Sequence, residues 1–120
     1  MPFPEQIEKL LSKLTELTAE GKVGWKEGPS LNSFLASVGD FTVAISRGGS
    51  ELYGGYSFQI MDRKGRAVDG ALATFVGPEK DAEGHENWRR MGSLYDLARG
   101  DALKSDKAVS NLLESLEQIR

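Results

Sequence analysis

Phe41-Thr42-Val43-Ala44-Ile45-Ser46-Arg47 decides the fold. Side chains alternate across a strand, so Phe41, Val43 and Ile45 make one apolar face and Thr42, Ala44 and Ser46 the other. The alternation returns in Tyr56-Ser57-Phe58-Gln59-Ile60-Met61, where Tyr56, Phe58 and Ile60 share a face. Asp62-Arg63-Lys64-Gly65-Arg66 joins this strand to the next as a tight hairpin. Gly65 supplies the positive φ of the turn, and Asp62 opens it by accepting from nearby backbone N–H groups. The last strand runs from Ala67 to Val76, and its apolar residues change parity around Gly70, where a bulge is expected. Upstream, Val23-Gly24-Trp25-Lys26-Glu27 reads as a short first strand stopped by Gly28-Pro29. Ser30 to Asp40 stays open between a short helix, carrying Leu31, Phe34, Leu35 and Val38, and a buried irregular connection. Strands that follow one another through short links pair antiparallel.

The flanks are helical. Ile7, Leu10, Leu11, Leu14 and Leu17 form one stripe at helical spacing, and the helix is predicted over 4–20, with Pro4 in its first turn and Gly21 past its end. Glu79 to Glu86 reads as a charged loop. Asn87 then caps a helix carrying Trp88, Met91, Leu94, Tyr95 and Ala98, closed by Gly100. Ser105 or Asp106 caps a final helix whose stripe is Val109, Leu112, Leu113, Leu116 and Ile119. Residues 1–120 are therefore expected to form one two-layer α+β domain. Its four-stranded antiparallel sheet would carry the N-terminal helix and the two C-terminal helices on one face. The other face would carry Thr42, Ser46, Ser57 and Gln59.

Charge and composition narrow the function. The balance of 15 Lys+Arg against 18 Asp+Glu gives net −3, so the chain as a whole has no attraction for a phosphate backbone and no nucleic-acid partner is expected. With no cysteine, disulfides, thiolate catalysis and cysteine-held metals are excluded. The start Met1-Pro2-Phe3-Pro4-Glu5 lacks the basic and apolar runs of a signal peptide, and no apolar stretch has the length of a membrane span. A cytoplasmic protein without cofactor or membrane partner is the expectation.

Chemistry-bearing residues are few. His85, in Glu83-Gly84-His85-Glu86, has no second histidine or cysteine to complete a zinc site, and Gly-x-Ser-x-Gly is absent. Asp69 is unusual within a strand, and an enzyme would have to be built on it or on His85, in a concave pocket. Gly48-Gly49 and Gly54-Gly55 bracket a loop without a phosphate-binding pattern, in which Tyr53 can act as an adaptable contact. Arg89 and Arg90 at a helix start would oppose the helix dipole unless Glu86 offsets them, which hints at a ligand or partner. The reading that follows is a non-catalytic module that binds a protein partner or a second copy of itself through the uncovered sheet face and Tyr53. The alternative is a binder of a small anionic metabolite or nucleotide held by Arg47, Arg89, Arg90 and Arg99.

Overall fold

A computed structural model describes residues 5–30, 32–48, 54–74 and 81–119. The elements are α1 (Glu5–Ala19), β1 (Lys26–Glu27), β2 (Ser33–Val38), β3 (Phe41–Gly48), β4 (Gly55–Met61), β5 (Ala67–Thr74), α2 (Ala82–Leu103) and α3 (Ser105–Gln118). The strands form one antiparallel sheet in the order β1-β2-β3-β4-β5.

The sheet has five strands where four are predicted, because the open stretch is itself a strand. Asn32 (φ 59°) and Gly39 (φ 61°) turn the chain at either end of β2, which pairs with β3 from Ser33↔Ser46 to Val38↔Phe41. Phe34 and Ala36 then fall on the same face as Val43 and Ile45, and all four are buried. The helical spacing of Leu31, Phe34, Leu35 and Val38 loses to this alternation, since Leu35 lies on the opposite face. The first strand shrinks to two residues.

The hairpin after β4 forms as expected. Gly65 has φ 82°, and Asp62 Oδ1 accepts from the backbone N–H groups of Lys64 (2.9 Å) and Arg66 (3.0 Å). These bonds, that of Arg66 first, hold the Asp62 carboxyl below its ordinary range. The register shift lies opposite Ile60/Met61, nearer the hairpin than Gly70. Gly70 has a different constraint: a Cβ there would sit 2.5 Å from the Phe58 carbonyl oxygen.

Helix α1 ends at Gly21 (φ 76°), whose N–H donates to the Thr18 carbonyl. It runs parallel to α2, with Arg90 meeting Glu8 near one end and Trp25 bridging Thr18 and Asp101 near the other. Both helices cover one face of the sheet. Between the layers lie Ile7, Leu11 and Leu14 of α1, Met91, Leu94, Tyr95 and Ala98 of α2, and Phe34, Val43, Ile45, Tyr56 and Phe58 of the sheet. Phe34, Tyr95 and Tyr56 pack in series as tilted rings with centroids 5.5 Å apart. Asn87 is buried at 2% exposure, and neither its Nδ2 nor its Oδ1 has a partner.

Two expectations about α2 are corrected. It starts at Ala82, not Asn87, because Asp81 accepts from the Gly84 N–H at 3.0 Å and is the true N-cap. It also continues through Gly100, ending only at Lys104, which takes the left-handed conformation (φ 53°). Lys104 serves as the N-cap of α3 as well, without a side-chain cap, so neither Ser105 nor Asp106 has that role.

The larger correction is α3. Its stripe does not pack on the sheet. Val109, Leu112, Leu113, Leu116 and Ile119 are 55–72% exposed. The sheet face that could have received them is already filled by α1 and α2. Helix α3 projects instead, and the radius of gyration is 16.1 Å, against about 14 Å for a compact chain of this length.

Candidate functional site

The uncovered side of the sheet follows from its pairing. With Val43, Ile45, Tyr56 and Phe58 turned to the helices, alternation sends Ala44, Ser46, Ser57 and Gln59 outward. Leu35 of β2 and Leu72 of β5 flank them, and Met61 closes the end. The twisted sheet makes this side a shallow concavity of about 590 Å³. Of the predicted polar face, Ser46, Ser57 and Gln59 line it, while Thr42 pairs with Met61 at its margin. Leu35, Ala44, Met61 and Leu72 make its surface more apolar than expected, and Leu72 is 75% exposed.

The other candidates are dispersed. Arg47 is exposed and borders the concavity at its rim. Tyr53 lies outside the described residues. Arg90 is drawn to Glu8 of α1 (3.4 Å), a half-exposed pair worth about 0–1 kcal/mol. Arg89 and Arg99 are exposed and stand about 15 Å apart along α2. With the helix beginning at Ala82, Arg89 and Arg90 are no longer in its first turn, so the expected conflict with the dipole is absent, and Glu8 rather than Glu86 meets Arg90.

His85 is in the first turns of α2, not in a loop, and its ring stacks on Trp88 at 5.8 Å. Trp88 donates from Nε1 to the Gly54 carbonyl. Asp69 is exposed on β5 and accepts from the adjacent Gly70 N–H at 2.8 Å. Among the described residues no group of three His, Cys, Asp or Glu is placed to hold a metal ion, and no helix is long and apolar enough to cross a membrane. Among the described residues bordering the concavity, Tyr56 is the one whose ionisation is perturbed upward. Burial raises its pKa above 10, the Arg47 charge opposes this, and Asp96 and Tyr95 reinforce it.

Sequence reasoning missed α3 as a surface. Its apolar stripe was visible, but a stripe alone says only that something covers it. Comparison with protein-family models, curated proteins and solved structures gives no match.

Proposed function

We propose that this chain is a non-catalytic protein-interaction module that pairs with a second copy of itself. The observation that carries the reading is the bare stripe of α3. Five large apolar side chains are each more than half exposed: Val109, Leu112, Leu113 and Leu116 on α3, and Ile119, which is not within the helix as expected but is its extended C-cap. At about 90 Å² each they present on the order of 450 Å², as large as the largest patch of a typical monomer. A lone helix of 14 residues is also marginal in water, so α3 needs tertiary or quaternary contacts to persist. Among the described residues the outer sheet face adds a second, partly apolar surface, and β5 is an edge strand with Asp69 as its single charge.

The test is the mass in solution. Light scattering on the eluted protein should give twice 13.1 kDa at micromolar concentration. A monomer throughout the micromolar to millimolar range sinks the reading. Binding of a small anion has no comparable support, since Arg89, Arg90 and Arg99 are not gathered into one cradle.

A further inference from the structure

We propose that α3 of one copy lies across the outer sheet face of a second copy, reciprocally, about a twofold axis. The inference rests on the self-association reading and names the two surfaces that meet. The first is apolar, the second sets Leu35 and Leu72 on either side of Ala44, Ser46, Ser57 and Gln59, and neither is covered by the described residues of its own chain. Helix α3 joins the molecule through α2, which lies on the covered side of the sheet. Helix α3 leaves α2 through the single residue Lys104, which gives it no reach around the sheet to its own outer face. The outer face of another copy has no such barrier.

Area favours this pairing over its rivals. An apolar footprint of about 450 Å² on α3 covers a similar area of sheet, so one docking removes about 900 Å² and two remove about 1,800 Å², within the range of stable interfaces. Pairing α3 only with its symmetry mate removes about 900 Å², below that range. Dimensions agree. Helix α3 is about 21 Å long, and β2 to β5 span about 14 Å between the axes of the outer strands. The concavity holds about 590 Å³. Charge raises no obstacle: among the described residues Arg47 is the one charged residue lining the concavity, and the described acidic residues of α3 are Glu114 and Glu117. The same carboxylates, against Lys107 alone, remove the attraction to an anionic bilayer that an amphipathic membrane helix would need.

Because the chain has no cysteine, introduced thiols are unique labels. Single variants Gln59→Cys, Leu112→Cys and Leu116→Cys would be prepared in the full chain, mixed in pairs and treated with a short bis-maleimide. The expected result is a cross-linked dimer from Gln59→Cys mixed with Leu112→Cys or Leu116→Cys. Self-linking of the α3 variants with no mixed product would overturn the proposal in favour of paired α3 helices. A Val68→Cys variant that self-links while the mixtures do not would overturn it in favour of β5 edge pairing. Gln59→Arg, at an exposed position outside the core, provides the second arm. It should weaken the dimer at least tenfold while leaving the circular dichroism unchanged, and an unaffected dimer would contradict the proposal. A dimeric wild type with no mixed product refutes only this arrangement, whereas a monomeric wild type refutes the self-association reading as well.

Discussion

Replacing Asn87 by leucine should stabilise the protein. Asn87 is 2% exposed on the core side of α2, four residues before Met91, and both its amide nitrogen and its amide oxygen lack partners. An unsatisfied buried polar group costs about 1–3 kcal/mol. Leucine has the same arrangement of four side-chain heavy atoms branched at Cγ, removes that penalty and is the better helix former by a few tenths of a kcal/mol. The net gain should be about 1–3 kcal/mol, which raises Tm by roughly 5–12 °C for a chain of this size. Thermal and urea unfolding followed by circular dichroism would show it, with a higher midpoint at an unchanged m-value. An Asn87→Ala comparison separates the two contributions, because alanine removes the polar group but leaves a void. A lower Tm for Asn87→Leu would refute the reasoning, since it would mean that the amide is satisfied or that the site rejects a branched side chain.

Three further outcomes follow from the layer packing. Thr18→Val removes the acceptor of the buried Trp25 Nε1–H bond (3.0 Å) and should lower stability by about 1–3 kcal/mol in the same urea assay; no loss would mean that the indole finds another acceptor. Gly70→Ala drives a Cβ to 2.5 Å from the Phe58 carbonyl oxygen and should destabilise by about 1–3 kcal/mol, with a neutral result showing that β5 can shift away. The Tyr56 phenol has its pKa raised chiefly by burial, so the fold favours its neutral form. That stability is fully present below pH 10 and is lost as the pH rises through the higher folded-state value. Tyrosinate absorbance should show a late-titrating phenol that Tyr56→Phe removes; a curve unchanged by the substitution would contradict the assignment.

How much of this was legible in the sequence depended on whether local pattern and tertiary demand agreed. In β3, β4 and the Asp62–Arg66 hairpin they did: alternation set the faces, and Gly65 and Asp62 set the turn. In α1 the stripe found its core, and Gly21 ended the helix. Residues 33–38 were ambiguous because Phe34, Leu35 and Val38 suit a helix as well as a strand, and only pairing with β3 decides between them. The start of α2 was misplaced because Asp81 and Asn87 are both good caps, and the earlier one is used. At its other end Gly100 sits within the helix, and the break falls at Lys104, a residue with no signal for left-handed backbone. The candidate site was half legible. Alternation gave Ser46, Ser57 and Gln59 as outward residues, but the apolar content of that face came from Leu35 and Leu72, whose faces depended on β2 and on the register shift in β5. The stripe of α3 could be read, but not its target, because periodicity marks which side of a helix is covered and says nothing about which chain covers it.

The most direct test of the central claim is amide hydrogen exchange along α3 as a function of protein concentration. A helix of 14 residues with a bare apolar side holds its backbone hydrogen bonds only while something packs on it. If a second copy is what packs there, the amides of α3 are protected in concentrated protein and lose that protection on dilution through the dimer dissociation constant. The amides of α1, whose Ile7, Leu11 and Leu14 are buried within the chain, keep theirs. Exchange along α3 that is unchanged across a thousandfold dilution would contradict the account.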